Sequence, residues 1–177
     1  MKEVLLAMAD YNEKAGKALC ALLENLPDPL SSELPARDAG VYFKSINGIM
    51  EHVAWAMALW LQRFASFGDY ACLRKQTLVD TDLAALRESI RAQPDKTAAL
   101  MHEAAGLIRA FVAGLSDAEL GRTVSYKATD GTPFTRTLWH TVMQVLNHGT
   151  HHRGEVSALL DQNGIDNDLN SFISYMY

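Results

Sequence analysis

Histidines are the residues of this chain best suited to bind a metal. Of the six histidines, four fall between positions 140 and 152, and His148 and His152 are four residues apart. On a helix this spacing puts two imidazoles one turn apart on nearly the same face. An HxxxH pair on a helix is a recurrent chelating unit, because both rings can reach one cation. This pair is therefore the first candidate for a metal site.

A third histidine strengthens the prediction. His52 lies within residues 45–67, where apolar residues surround most of a predicted helix. Such a helix is typically central and packs on more than one neighbour. Burying three imidazoles requires a cation or a hydrogen-bond network to offset their desolvation. We therefore predict that His52, His148 and His152 bind one metal ion.

Three neutral imidazoles restrict both the metal and its chemistry. Imidazole suits zinc, copper, iron and nickel, and it suits magnesium and calcium poorly. Three ligands leave a coordination position for water or substrate, as in catalytic zinc sites. The metal would then acidify a water or hold a substrate thiolate as a nucleophile. A metalloprotease HExxH motif is excluded because Gly149 stands where the glutamate is needed.

Four helical segments should position these histidines. Apolar residues that recur every three or four positions predict helices up to about residue 26 and over about 45–67, 82–113 and 137–162. Pro27 and Pro29 should end the first helix, and a polar linker follows to about Gly40. Pro94 should kink or split the third helix, and Gly164 should end the last one.

Two shorter features are predicted before the last helix. Ser116 and Glu119 have the spacing of a capping box, which predicts a short helical turn. Between residues 122 and 136 the apolar period changes, and Asp130 and Gly131 suit a tight hairpin turn. The predicted fold class is therefore an all-α four-helix bundle with a small β-hairpin before the last helix.

Composition limits the partners that we expect. The 177 residues are 49% hydrophobic and 21% charged, which fits a single globular domain over residues 1–177. Because 16 scattered basic residues stand against 21 acidic ones, we expect no nucleic-acid partner. The longest apolar run, residues 53–61, is about half the length that crosses a membrane. Without a secretory signal or a CxxC pair, we expect a cytoplasmic protein in which Cys20 and Cys72 are free thiols.

The final helix carries a family resemblance. Residues 147–156 read NHGTHHRGEV, between LWHTVMQVL and LLDQNG, and resemble the signature of the DinB/YfiT-like family of metal-binding bundles. The opening YNEKAGKAL and the segment SINGIMEHVAWAMALWLQRF resemble the first two family helices, with His52 and Trp60 in the positions of a ligand histidine and a tryptophan. The resemblance spans nearly the whole chain. It implies a four-helix bundle, often a homodimer, with nickel or zinc on His52, His148 and His152.

Two functions are compatible with this resemblance. Family members with assigned activities resemble transferases that use the thiols bacillithiol, mycothiol or glutathione, and some resemble isomerases or hydrolases. The first hypothesis is a metal-dependent thiol S-transferase or hydrolase, with a low-molecular-weight thiol or an electrophile as the small-molecule partner. The second is a non-catalytic, stress-related metal-binding protein whose metal stabilises the bundle or its dimer. An open coordination position that faces a pocket would favour the enzyme.

Glu155 stands where the family commonly carries glutamine. Its carboxylate could orient a ligand imidazole, accept a proton from bound water, or pair with Arg153 or another base. No other catalytic side chain is assigned. Gly149 and Gly154 each weaken a helix by about 1 kcal/mol relative to alanine, so we expect a neighbour or ligand that needs the space.

The remaining histidines and the tryptophans are weaker candidates. His151 points about 100° away from His152 around the helix and is expected at the site mouth or surface. His140 is expected in a solvated position, and the alternative is a place at the entrance to the site. His102 is expected to be exposed and without function. The tryptophans could wall a substrate pocket, but core packing is their usual role: Trp55, Trp60 and Trp139.

Overall fold

Four long helices dominate the computed structural model, which describes residues 1–176. They are α1 (Lys2–Glu24), α3 (Ile46–Phe67), α6 (Thr97–Gly114) and α8 (Leu138–Asp161). The shorter helices are α2 (Leu30–Glu33), α4 (Thr77–Asp80), α5 (Leu83–Ala92), α7 (Asp117–Leu120) and α9 (Phe172–Met176). A hairpin of β1 (Thr123–Lys127) and β2 (Pro133–Thr137) precedes α8. The predicted fold class is confirmed.

The long helices pack in a ring. Helices α1 and α3 each lie against both α6 and α8. Their buried side chains form two clusters, one around Phe64, Phe111 and Leu138 and the other around Ile49 and Val156. Along α8, residues 142–146 belong to the first cluster and residues 156–160 to the second. The histidines of α8 therefore lie where one apolar core gives way to the other.

The start of α3 depends on close contact with the preceding loop. Ser45 caps the helix, because its side chain accepts a hydrogen bond from the Gly48 amide at 3.1 Å. A Cβ atom on Gly48 would lie 2.0 Å from the Phe43 carbonyl oxygen, so only glycine fits there. This contact holds the loop against the first turn of α3, four residues before His52.

The breaks between helices largely follow the sequence. The third helical region is split into α5 and α6, with Pro94 beginning a turn of 3-10 helix, as predicted. Ser116 and Glu119 form the predicted capping box at α7. Three short helices were not predicted: α2 within the expected polar linker, α4, and α9 after Gly164. Each has five residues or fewer, which is too short for a helical period to stand out.

The hairpin packs against α3. Strand β1 pairs antiparallel with β2, with Tyr126 opposite Phe134, and Gly131 adopts a positive φ of 86° in the connecting turn. The Tyr126 ring lies 5.3 Å from the Trp60 ring of α3, centroid to centroid. The last strand residue is Thr137 and the next residue begins α8, so the hairpin is joined directly to the helix that carries most of the histidines.

A helix must be both long and apolar to span a membrane. Among residues 1–176, none of the helices combines the length and hydropathy that spanning a bilayer requires.

Candidate metal centre

Three imidazoles converge between α3 and α8. His52 projects from α3, and His148 and His152 project from consecutive turns of α8. The Nε2 atom of His148 lies 2.9 Å from Nε2 of His52 and 3.2 Å from Nε2 of His152. One nitrogen from each of the three rings lies within 4.8 Å of the other two. His152 is buried at 5% exposure, whereas His52 and His148 are half-buried.

The spacing of these nitrogens fits a shared cation. A tetrahedral zinc ion with Zn–N bonds of about 2.0–2.1 Å holds two ligand nitrogens roughly 3.3 Å apart. The two Nε2 separations in the cluster, 2.9 and 3.2 Å, lie close to that value. Nitrogen donors of this kind suit nickel and zinc. The residues present therefore fit the metal that the sequence predicts.

The electrostatics of the cluster favour neutral rings. Burial, followed by the nearby His152, lowers the pKa of His52 to about 4. Burial, His152 and His52 lower the pKa of His148 to about 4 as well. Neutral imidazole is the form that binds a metal. A single Nε2 on His148 offers one hydrogen or one lone pair, so hydrogen bonding alone cannot satisfy both of its neighbours.

Glu155 contacts the buried ring from the opposite side. Its Oε2 lies 2.6 Å from His152 Nδ1, and its Oε1 lies 3.5 Å from Nε2 of the exposed His151. A proton on His152 Nδ1 then donates to the carboxylate, which leaves the Nε2 lone pair facing the cluster. Of the three roles considered for Glu155, this geometry fits orientation of a ligand imidazole. Arg153 is not its partner.

Arg153 is buried and instead contacts side chains of α1. Its Nη1 donates to Asn12 Oδ1 at 2.7 Å, and its guanidinium lies 4.5 Å from the centroid of the Tyr11 ring. A Cβ atom on Gly149 would lie 2.5 Å from the same Asn12 oxygen, so the expected neighbour of Gly149 is the Asn12 side chain. At Gly154 the one neighbour of such a Cβ atom among the described residues is an Asn170 oxygen at 3.9 Å, so no neighbouring side chain there requires a glycine.

Phe43 covers one face of the cluster. Its ring stacks on His52 with centroids 4.1 Å apart and planes inclined by 19°. It also meets the edge of His152 at 5.5 Å. The next residue, Lys44, has a positive φ of 72°, which is unusual for a residue with a side chain. Sequence reasoning missed Phe43 because it falls in a segment with no helical or strand period, next to the predicted start of α3.

An open groove of about 500 Å³ reaches the cluster from another side. It lies between α3, α8 and the hairpin, and His52 and His148 form part of its wall. Trp55 and Trp60 also line it, which agrees with the substrate-pocket alternative, although Trp60 is at the same time buried in the first apolar cluster. The other aromatic, polar and basic side chains of its wall are Arg63, Tyr126, Thr129, Phe134, Arg136, His140, Thr141 and Gln144.

The remaining candidates occupy different places. His140 is exposed, as expected, and it also lines the groove. Trp139 packs against the apolar core rather than the groove. The expectation that His102 is exposed is wrong: it is half-buried beside a small cavity of about 40 Å³ between α1, α3, α6 and α8. Its buried Nε2 has no hydrogen-bond partner among the described residues. A register that turns His102 inward cannot be inferred from neighbours such as Met101 and Glu103.

Neither cysteine belongs to the groove. Cys20 is buried and Cys72 is half-buried, and both are free thiols. Burial and Glu24 raise the pKa of Cys20 to about 11, and burial also raises the pKa of Cys72. A thiol that is protonated near neutral pH is a weak nucleophile and a poor metal ligand. The chain therefore offers no activated thiol of its own within the described residues.

Comparisons with known proteins identify the family. None of the curated proteins and none of the solved structures matches the chain. A sequence model described as the DinB family matches residues 1–171 of the 177. That range includes all four long helices, the hairpin and the three converging histidines. The chain therefore belongs to the DinB family.

Proposed function

We propose that this protein is a metal-dependent enzyme. In this proposal His52, His148 and His152 bind one divalent transition metal, nickel or zinc. The reaction is transfer of a low-molecular-weight thiol to an electrophile, or hydrolysis. The observation that carries the proposal is the convergence of three Nε2 atoms at the wall of an open groove.

The side chains around the cluster have separate roles in the proposed reaction. A bound divalent cation supplies a Lewis acid that favours the deprotonated form of water or of a thiol. Glu155 holds the His152 ring in the tautomer that ligates through Nε2. Phe43 covers the His52 ring and keeps water from that face. On the groove side, His140 and Tyr126 carry the groups that can exchange a proton with a substrate.

The open groove favours the enzyme over a purely structural metal site. A structural ion is normally enclosed by four protein ligands, whereas a catalytic ion keeps a position for substrate. Here three imidazoles converge and two of them border about 500 Å³ of accessible groove. Because Cys20 and Cys72 lie elsewhere, a thiol nucleophile would have to come from a small molecule.

Metal content tests the ligand set. We expect protein purified without a histidine tag, stripped and reloaded, to hold about one zinc or nickel ion per chain. His148→Ala should lose that ion, because His148 Nε2 is the atom that contacts both other rings. His140→Ala is the matched control, since it removes an imidazole from the same helix without touching the cluster. Full metal retention by His148→Ala, measured by mass spectrometry, would show that the assignment is wrong.

Activity assays then separate the two hypotheses. The metal-loaded protein should catalyse either the transfer of a small thiol to an electrophile or the hydrolysis of an activated ester or amide. His148→Ala should lose this activity together with the metal. A protein that binds one ion tightly, gains stability from it and turns over none of these substrates would support the non-catalytic alternative. The homodimer and the cytoplasmic location stay predictions, and light scattering measures the first.

A further inference from the structure

The groove beside the cluster is basic in an acidic protein. The chain has a net charge of -5, yet within residues 1–176 neither aspartate nor glutamate lines this groove. Two arginines do, Arg63 from α3 and Arg136 from β2. Among the described residues, neither arginine forms an ion pair with a carboxylate, in contrast to Arg74, Arg87, Arg91 and Arg109.

Arg63 is held in place at some cost. Its guanidinium carbon lies 4.7 Å from the Trp60 centroid and 4.9 Å from the Tyr126 centroid, beside two rings that contact each other at 5.3 Å. Its Nη2 donates to the Lys127 carbonyl at 2.9 Å. Burial lowers the pKa of Arg63, which means that its charge is partly desolvated. A guanidinium has five N–H donors, so most of its donors remain for a ligand.

Arg136 lines the groove from the hairpin. Its guanidinium carbon lies 4.9 Å from the Phe134 centroid, and its Nη1 donates to the Thr135 carbonyl at 2.8 Å. The two arginines therefore approach the groove from α3 and from the hairpin. A planar guanidinium is suited to bidentate binding of a carboxylate or a phosphate.

The distance from His52 to Arg63 sets the length of a ligand that would contact both. It follows His52 by 11 residues on α3, which places it about 16 Å further along the axis and roughly 20° around it, on the same face. Trp55 and Leu59 lie between them and also line the groove. A molecule that reaches from the histidines to Arg63 must cross this apolar stretch.

We propose that the substrate is an elongated small molecule with an anionic group at the end remote from its reacting atom. Arg63 and Arg136 bind the carboxylate or phosphate, and the tryptophan-lined stretch binds an apolar middle. The reacting thiol or electrophile lies at the histidine end. This inference rests on the proposed function, because the histidines define the reacting end.

Paired probes test it in the metal-loaded protein. In the Co²⁺-substituted protein, 11-mercaptoundecanoic acid and 11-mercaptoundecanol both present a thiol and differ at the far end. We expect both to produce a thiolate-to-cobalt absorption band, and the acid to bind about tenfold more tightly. In Arg63→Gln/Arg136→Gln the acid should lose this advantage while the alcohol binds as before. Arg63→Lys should keep part of it, because it retains the charge.

Two controls make the outcomes distinct. Arg37→Gln removes an exposed arginine that does not line the groove and should leave the preference for the acid intact. In the metal-free protein, octanoate should bind more tightly than octanol by calorimetry, and only while both groove arginines are present. Equal affinities for the acid and the alcohol, with the cobalt band present, would overturn the anionic substrate and leave the metal site standing. No cobalt band with either thiol, together with no retained metal, would overturn the proposed function, and the metal-free comparison would still decide the anionic end.

Discussion

The contact between Glu155 and His152 is the shortest polar contact of the cluster, 2.6 Å from Oε2 to Nδ1. The other carboxylate oxygen of Glu155, Oε1, lies 3.5 Å from Nε2 of the exposed His151. Only the first contact reaches a candidate ligand. A carboxylate beside the far nitrogen of a ligand imidazole fixes the ring and raises its basicity. The same group is therefore expected to act on metal affinity and not directly on substrate.

Removing the Glu155 side chain should weaken metal binding. We expect Glu155→Ala to raise the dissociation constant for zinc by about 10- to 100-fold. Glu155→Gln should bind nearly as well as the original protein, because an amide oxygen also accepts a hydrogen bond from Nδ1–H. His151→Ala is the control and should leave the affinity unchanged. Competition with a zinc chelator measures all three, and an unchanged constant in Glu155→Ala would contradict the role assigned here.

The two glycines of α8 should respond in opposite ways to alanine. Gly154→Ala has room for the methyl group and should stabilise the helix by up to about 1 kcal/mol. Gly149→Ala should displace the Asn12 side chain from the buried guanidinium of Arg153 and cost about 1–3 kcal/mol. Urea unfolding gives both values.

A second background isolates the cause. In Asn12→Ala the obstructing oxygen is gone, so Gly149→Ala should become neutral or stabilising there. A Gly149→Ala penalty that persists unchanged in that background would place the clash elsewhere.

At the scale of elements, the loop before α3 is the part that positions His52 from outside the bundle. Ser45 caps the helix, and Gly48 leaves room for the loop to approach it. Phe43 stacks on the His52 imidazole. The cluster is thus covered by a segment that has no regular structure of its own.

Removing the Phe43 ring should leave His52 less firmly positioned. Phe43→Ala removes the stacked ring, and the free energy of unfolding should fall by about 1–3 kcal/mol, since the ring is half-buried. Phe43→Leu should lose less, because it still covers the imidazole. Tyr42→Ala is the matched control, since the neighbouring Tyr42 is 88% exposed. Equal losses in Phe43→Ala and Tyr42→Ala would show that the stack does not stabilise the loop.

The same elements show what sequence reasoning can reach. The helical period predicted α1, α3, α6 and α8, and Pro94 and the Asp130–Gly131 pair marked the break and the hairpin turn. The proximity of His52 to His148 followed because each lay on a face expected to be buried. The Phe43 stack, the groove arginines and the inward turn of His102 did not follow, since each depends on how separate segments meet in space.

For the whole molecule, the cluster joins two distant parts of the chain. His52 and His148 are 96 residues apart in sequence, and their Nε2 atoms are 2.9 Å apart. A ligand that binds only when both helices are in place stabilises the folded state by mass action. Metal binding should therefore report on global stability as well as on the site.

Metal addition should raise the melting temperature. At a free zinc concentration 100 times the dissociation constant, the gain in unfolding free energy should be about 2.7 kcal/mol. In a protein of this size that corresponds to an increase of roughly 5 °C or more. Removal of the metal with a chelator should reverse the shift. His148→Ala should show no shift, and an equal shift in this variant would mean that the stabilising ion binds elsewhere.

The direct passage from β2 into α8 has a consequence for redesign. The hairpin supplies one wall of the groove, including Tyr126 and Arg136, but none of the three converging histidines. Exchanging residues 123–137 for a hairpin of the same length and different side chains would change what the groove accepts while the ion-binding residues stay untouched. Evolution or an engineer could thus alter selectivity in this one module without changing the metal ligands, provided that Tyr126 is retained.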